Sequence, residues 1–324
     1  MKLIDVHKEL NTEDKCLDYL EQMRWPKGLC CIKCGVEGHV TKFRTNETSR
    51  KRFSKKLGKV VEVKVPSRRL YECKDCGCQF SATTGTIFND THLPLRDWLI
   101  AVALFMEAKK SLSANQLKRH LGINYRSAWY LAHRIREAMQ DGPFQLTGEV
   151  EADETYVGPK VIRKGKPYPK RTEKDVVLGM VERGGRLRLL PVADAKRRTL
   201  QPALEMNISP DVSMIYTDEH PIYEWGLKDK FSGRHQTINH TRTYAIGKVY
   251  TNTIENAFSL FKRSLIGSFH HVSIKHLGRY CNEFSYRFNR RDYQEEMFHE
   301  TVRNLIKGKA LPYKKLTASA KSDF

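Results

Sequence analysis

Two Cys-x-x-Cys-Gly pairs, Cys31-Ile-Lys-Cys34-Gly and Cys73-Lys-Asp-Cys76-Gly, constrain this chain more than any other feature of its 324 residues. Two thiolates on one tight turn, with a glycine next to relieve the backbone, make half of a tetrahedral metal site, and a second such turn completes it. Four thiolates leave no open coordination position, so the expected zinc is structural and supplies folding energy that a small segment lacks. The eight cysteines sit at 16, 30, 31, 34, 73, 76, 78 and 281, and six of them fall between 30 and 78, unlike a disulfide framework. Cys30 could replace Cys31 by a one-residue slip, and Cys78 is a further near duplicate. The 38 residues between the pairs exceed the roughly 15–20 of a simple ribbon, so a long hairpin is expected inside it.

That insert, residues 41–70, holds eleven Lys and Arg against two Glu. It reads either as a solvated loop or as an arm lying along phosphates, the contacts that give sequence-independent affinity for nucleic acid. The whole chain carries 57 Lys+Arg and 37 Asp+Glu, a formal net charge of +20, which points to a polyanionic partner. The longest apolar run, WLIAVALFM at 98–106, has nine residues, far below the ~20 of a membrane span. The N-terminal residues lack the apolar stretch of a secretory signal. A soluble, cytoplasmic, nucleoid-associated protein of about two or more domains is the expectation, with no membrane partner.

Downstream of Leu93-Pro94 the pattern is helical. An apolar helix over 95–108 precedes SLSANQLKRHLGINYRSAWYLAHRIREAM, in which Ser113 can cap a short helix ending at Leu121. Gly122-Ile123-Asn124 makes a turn, and Ala128, Leu131, Ala132 and Ile135 set the buried stripe of a longer helix over 125–139. Helix, glycine-containing turn and basic second helix are the parts of a helix-turn-helix. Arg126, Tyr130, His133 and Arg134 are then expected to face DNA.

From Leu146 the period changes to two. Residues 148–157 read as a strand with Glu151, Asp153 and Thr155 on one face, and 176–182, Gly184-Gly185 and 186–192 read as a hairpin. A helix near 200–205 and a strand at 214–217 follow, with Asp218 at the strand's end. This β-β-β-α-β order is that of an RNase H-like sheet, in which the first and fourth strands are neighbours. Asp153 and Asp218 would therefore meet at one sheet edge. A third acid is offered by the helix 252–263, which Asn252 or Thr253 can cap, with Glu255 in its first turn and Lys262 seven residues later on nearly the same face. Three carboxylates suit phosphodiester chemistry with two divalent cations about 3.5–4 Å apart. Hard oxygen ligands favour magnesium, with manganese able to substitute. On this reading Asp153 bridges the ions, Asp218 and Glu255 hold one each, and Lys262 positions a phosphate. Glu151, Glu154 and Glu219 neighbour the chosen acids; Glu151 shares the face of Asp153, and Glu154 points away.

The segments EADETYVG (151–158), YTDEH (216–220) and YTNTIENAFSLFKRSLIGSFHHVSIKHLGRYCNEFSYRFNRR (250–291) resemble the DDE transposases of bacterial insertion sequences that carry an N-terminal zinc ribbon, a group related to Merlin transposons. RWPKGLCCIKCG (24–35) and YECKDCGCQFSATTGTIF (71–88) resemble that family's ribbon. The resemblance implies metal-dependent cleavage at element ends followed by strand transfer, with Asp153, Asp218 and Glu255 as the acidic triad accompanied by Lys262. It departs at Asn256 and Phe258, where the family has Gly and Trp, and in the length of the ribbon insert. Because some relatives carry Asn at the third position, Asn252 and Asn256 stay open as rivals to Glu255.

The expected fold is thus α/β and multi-domain: a zinc ribbon with an N-terminal helix and basic insert (1–90), a helix-turn-helix-like DNA-binding segment (91–142), an RNase H-like mixed-sheet catalytic domain with C-terminal helices (143–311) and a basic tail (312–324). Cys31, Cys34, Cys73 and Cys76 are the expected zinc ligands; Asp153, Asp218 and Glu255 are expected to hold magnesium; Arg126, Tyr130 and Arg134 are expected to contact DNA. The expected substrate is duplex DNA, both terminal inverted repeats and target, handled by a homodimer or larger synaptic assembly. The rivals are an inactive or domesticated DNA-binding descendant and a structure-selective nuclease of the same fold. Residues 160–174, with seven Lys and Arg, read as a basic loop. His270, His271 and His276 read as polar or DNA-contacting rather than as a second zinc site, and Tyr280, Phe284, Tyr286 and Phe288 as core. The tail beyond Leu311 is expected to fray.

Overall fold

A computed structural model describes residues 1–54, 57–158, 174–227, 230–238, 249–269 and 272–318. The 160–174 loop short of Lys174, together with His270 and His271, lies outside the described residues. The chain divides into two compact units, Ile4–Ile100 with Val302–Leu311, and Ala101–Thr301 with Met1–Leu3 and Pro312–Phe324. The helix-turn-helix segment and the strands of the mixed sheet both fall within the Ala101–Thr301 unit.

In the ribbon unit, helices α1 (Leu3–Glu9) and α2 (Glu13–Arg24) precede strands β1 (Val40–Arg44), β2 (Thr48–Ser54), β3 (Lys59–Val65), β4 (Arg69–Cys73) and β5 (Gln79–Phe80). Thr12 caps α2 by accepting from the Lys15 N–H at 3.3 Å. An antiparallel sheet runs in the order β1-β4-β5, and β2 pairs with β3 as a separate two-stranded ribbon. The long insert is thus the expected hairpin. Trp25, Tyr71 and Phe80 form the core, with ring centroids 5.2–6.0 Å apart. Not all of the insert's charge is available to a partner. Asp14, Asp18 and Glu21, spaced along one face of α2, take the buried Arg69 at 2.5–3.1 Å, Glu21 also takes Lys42 at 2.8 Å, and Asp14 also takes Arg44. Three of the eleven cations of the insert are spent inside the ribbon, and the other eight belong to the β2–β3 excursion and its flanks.

The second unit contains α3 (Leu95–Glu107, entering at Ala101), α4 (Ala114–Leu121) and α5 (Tyr125–Ala138). Ser113 and Gln116 form a reciprocal capping box at α4. Gly122 at φ 66° closes α4, and Asn124 caps α5 by accepting from the Ser127 N–H at 2.9 Å. Helix, turn and helix fall where the sequence places them, because each boundary is written in cap residues. Arg136 on α5 is fully buried, pairs with Glu283 at 2.7 Å and donates to Leu112 O at 3.0 Å.

The sheet follows: β6 (Glu149–Val157), β7 (Asp175–Glu182), β8 (Leu187–Val192), α6 (Arg197–Asn207), β9 (Met214–Asp218), α7 (Pro221–Leu227), β10 (His235–Ile238), α8 (Asn252–Ser264) running into a π-helical turn (Leu265–Phe269), α9 (Ile274–Asn289), α10 (Gln294–Lys307) and α11 (Tyr313–Thr317). Strand order is β10-β9-β6-β7-β8, with β6–β7 and β7–β8 antiparallel and β6–β9 and β9–β10 parallel. This is the RNase H-like mixed sheet, and its first and fourth strands are hydrogen-bonded neighbours. One face packs Val150, Ala152, Leu178 and Met180 on α6 and α7; the other packs Val177, Val181 and Leu189 on α8 and α9. The short β10 escapes the sequence pattern, since four residues are too few to establish a period. The tail does not fray at once: α11 buries Leu316 and sets Tyr313 against α5.

Candidate active site and metal centre

In the ribbon, the two knuckles converge. The Sγ atoms of Cys31 and Cys76 lie 3.6 Å apart, as do those of Cys34 and Cys73, and all four lie within 4.8 Å of one another. A tetrahedron with Zn–S bonds of about 2.3 Å has edges of about 3.8 Å, so the pocket fits zinc. Gly35 and Gly77 follow the knuckles at φ 75° and 65°, and each donates its N–H back to the first cysteine's carbonyl at 3.0 Å. The expected relief by glycine is therefore a left-handed turn. The N–H groups of Cys34 and Lys33 hold the Cys31 thiol down to about 6, and the thiolate is the form that binds metal. Cys30 and Cys78 stay outside the cluster: Cys30 bridges to Glu37, and the Cys78 carbonyl accepts from the Cys73 N–H.

On the sheet, alternation along β6 sends Asp153 to the α8 face and Glu154 to the opposite face, where the buried Tyr223 hydroxyl donates to it. Asp218 closes the adjoining parallel strand, and its Oδ1 accepts from the His220 N–H at 3.1 Å. Glu255 lies in the first turn of α8, with its Oε1 accepting from the Thr251 hydroxyl at 3.2 Å. Burial, reinforced by Glu154, Asp218 and Glu255, pushes the Asp153 carboxyl up to about 8. The three acids thus share one field, although among the described residues only the four cysteines bring three or more ligand atoms within 4.8 Å of one another. Lys262 stands exposed two turns along the same helix as Glu255. Asn252 and Asn256 lie beside Glu255 on α8, both exposed.

Glu151 has a different occupation. Fully buried, its carboxylate accepts from the N–H groups of Thr253 at 2.8 Å and Ile254 at 3.0 Å, from the Thr253 hydroxyl at 2.9 Å and from Arg183 Nε at 2.8 Å. Neither Asn252 nor Thr253 caps α8 through its own side chain; the cap comes from the sheet, one residue before Glu255. An anion at the amino end of a helix also meets the positive end of its dipole. Arg183 extends the bracing: it pairs with Glu149 at 2.9 Å, donates to Tyr250 O at 2.8 Å, and lies 3.9 and 3.7 Å from the ring centres of Tyr216 and Tyr250. One guanidinium thus ties together β6, β9 and the lead into α8, the elements that carry the three acids. Gly179, paired with Asp153 across β6–β7, lets α8 approach: a Cβ there would sit 2.6 Å from the Phe258 ring and 2.8 Å from Ile254 Cδ1. Sequence reasoning singled out neither Arg183 nor Gly179; the only signal was that Glu151 shares the face of Asp153.

The α5 residues expected to face DNA differ in their exposure. Arg126 is exposed and its guanidinium lies 4.3 Å from the Tyr313 ring centre; Tyr130 is half-buried with its ring edge on Tyr313. Arg134 is 2% exposed and His133 fully buried. The reason is cover from two sides: His276 and Tyr280 of α9 pack on His133, Tyr313 of α11 packs on Trp129 and Tyr130, and Arg134 folds back over the Tyr130 ring at 4.9 Å. The open part of the helix is its first turn, where Tyr125 is 49% exposed.

Among the described residues no helix is long and apolar enough to cross a membrane. Compared with known proteins, residues 145–289 match the ISXO2-like transposase domain and residues 11–79 match the transposase zinc-ribbon domain. A relative from Halobacterium salinarum, described as an uncharacterized protein in transposable element ISH50, is 24% identical over 272 residues, covering 80% of this chain and 85% of its own length. The RNase H-like sheet, the four-cysteine ribbon and these matches agree: the chain carries an ISXO2-like transposase domain preceded by a transposase zinc-ribbon domain.

Proposed function

We propose that the chain is an active DNA transposase that binds the terminal inverted repeats of its own element, cleaves at their ends and joins the freed 3′ ends to target DNA. The observation that supports this reading is that Asp218 and Glu255 both act on Asp153 at the β6–β9 edge, adding to the burial and the Glu154 charge that push its carboxyl up to about 8. Such a site is costly with anions alone and suits cations. Asp153, Asp218 and Glu255 would hold the magnesium ions. When bound, the ions supply activation of the attacking oxygen and stabilisation of the leaving one. The chain's own residues do the rest: Asp153 and Asp218 are fixed by strand pairing, Glu255 by the braced start of α8, and Lys262 offers a charge for a phosphate of the scissile strand. Water is the first nucleophile and the freed 3′-hydroxyl the second. The ribbon zinc is structural, and the β2–β3 excursion supplies phosphate contacts. Synapsis of two ends calls for a homodimer or larger assembly.

The test is to incubate zinc-loaded protein and magnesium with a labelled duplex carrying the DNA that flanks the reading frame, plus a target plasmid. The expected products are 3′-end cleavage and joined strands that depend on the flanking repeats. Cleavage set only by branched DNA shape, with no joining, would instead identify a structure-selective nuclease.

A further inference from the structure

Beside the helix-turn-helix lies a cleft of about 920 Å3, built entirely within the second unit. Lys109, Lys110, Lys118 and Arg119 line it and are exposed, Arg136 reaches it from its pair with Glu283, and among the described residues lining it there is no Asp or Glu. Its remaining walls carry aromatic rings: Tyr125 and Trp129 from α5, and Phe269 and Tyr280 from the opposite side. A one-sign cleft with ring faces suits an anion that also brings flat apolar surfaces.

Two backbone features mark the same place. Ser111 holds φ at 75°, a left-handed conformation unusual for a residue with a side chain, and its hydroxyl is bound by the buried Glu283 carboxylate. Strain of this kind persists where the surroundings over-determine it, and here it fixes the loop presenting Lys109 and Lys110. The facing wall is the π-helical turn Leu265–Phe269, whose Ser268 hydroxyl donates to Lys110 O at 3.0 Å; such turns recur at functional sites. An adjoining cavity of about 720 Å3 shares Lys109, Lys110 and Phe269 and reaches Leu260 and Arg263, next to Lys262 on α8. This second cavity, lined by Lys109, Lys110, Arg263, Arg287 and Arg291 but also by Glu107 and Glu283, leads from the helix-turn-helix toward the helix of Glu255.

We propose that this cleft binds a DNA strand that has left its duplex, with phosphates on Lys109, Lys110, Lys118 and Arg119 and an unstacked base against Tyr125 and Trp129. Its volume is that of a small-molecule site, roughly 300–1,000 Å3, rather than of a duplex, and ring stacking requires a base face that pairing and stacking would hide. The inference rests on the chain acting on DNA, but not on its acidic triad.

The test measures affinity for a fluorescein-labelled oligothymidine 8-mer, for a blunt duplex and for inorganic pyrophosphate, using full-length zinc-loaded protein without magnesium. Tyr125→Ala is expected to weaken the 8-mer about 5- to 150-fold, the range of one lost base–aromatic stack. Lys118→Ala with Arg119→Ala should lower the salt dependence of 8-mer binding by about 1.4 in log–log slope, at ~0.7 per phosphate contact on a single strand. Both variants should change duplex affinity less, and circular dichroism and melting check that they fold. Unchanged 8-mer affinity in folded variants, equal losses for duplex and single strand, or pyrophosphate competing as well as the 8-mer would each overturn the proposal. With catalysis excluded from the assay, the two claims fail separately. A protein that binds the strand but never joins DNA ends refutes the proposed function alone; one that joins ends while Tyr125→Ala binds the strand normally refutes the cleft alone.

Discussion

Replacing Glu151 by Gln removes one charge from a buried brace and leaves its shape almost unchanged. The carboxylate accepts four hydrogen bonds, two from the opening N–H groups of α8, one from the Thr253 hydroxyl and one from Arg183. The Glu151 and Arg183 side chains are 0% and 12% exposed. Breaking a buried pair by removing one partner costs about 3–5 kcal/mol. The amide keeps one acceptor but turns a donor toward either the helix start or the guanidinium, so the net loss should be about 2–4 kcal/mol. Against a usual total of about 5–15 kcal/mol, the variant still folds at 25 °C. Its activity should suffer through Glu255, one residue beyond the released Ile254 N–H: a shift near 1 Å at a reacting group costs on the order of 100-fold. Urea denaturation and cleavage of the labelled end over a magnesium series would measure both. The expected pattern is a higher magnesium requirement with partial recovery at saturation, since all three acids are still present. Full activity with wild-type stability would refute the bracing argument. Loss as complete as in Asp153→Asn, with no recovery at any magnesium concentration, would also refute it, by making Glu151 a direct participant.

Gly179→Ala should destabilise by about 1–3 kcal/mol through overpacking against Phe258 and Ile254 and slow cleavage by displacing α8, as read by melting and by the same end-cleavage assay. Glu283→Ala, stranding the buried Arg136, should cost about 3–5 kcal/mol, whereas Arg136→Met combined with Glu283→Leu should recover most of it in a double-mutant cycle. Among the described residues neither ring nitrogen of His133 has a hydrogen-bond partner, and burial, aided by Arg136, His276 and Arg279, depresses it to about 2. The unfolded chain takes up that proton near pH 6.5 while the folded chain refuses it, so stability is unaffected above about pH 6.5 and falls below it by up to ~1.4 kcal/mol per unit. His133→Phe should remove about 2 kcal/mol of the loss between pH 6.5 and 5; an unchanged acid limb would contradict the assignment. One zinc per chain is expected by atomic emission, retained in Cys30→Ser and Cys78→Ser and lost with the ribbon's fold in Cys73→Ser.

What was legible in the sequence was what short-range chemistry writes down. Cap residues Ser113 and Asn124, the glycines after each knuckle and the two-residue period of 148–157 each dictate local geometry, and local geometry placed the elements. The strand order then followed from element order, bringing Asp153 beside Asp218. What stayed hidden depends on tertiary neighbours. Glu151 looks like a second acid of the site until the start of α8 is seen resting on it, and Arg183 looks like a turn residue until Glu149, Glu151, Tyr216 and Tyr250 are seen around it. Arg134 reads as an exposed helix residue because the covering elements, α9 and α11, lie more than 130 residues downstream. Arg69 counted toward a basic arm although α2 neutralises it.

The central claim is that Asp153, Asp218 and Glu255 together carry strand cleavage and joining. The most direct measurement compares wild type with Asp153→Asn, Asp218→Asn and Glu255→Gln in the magnesium-dependent joining of labelled element ends to target DNA, with end binding measured in parallel. The account predicts that each variant binds the ends as wild type does and lowers cleavage and joining by about 100- to 1,000-fold, the scale of losing a charge-stabilising group at the reacting centre. Joining at wild-type rates by any one of the three would contradict it.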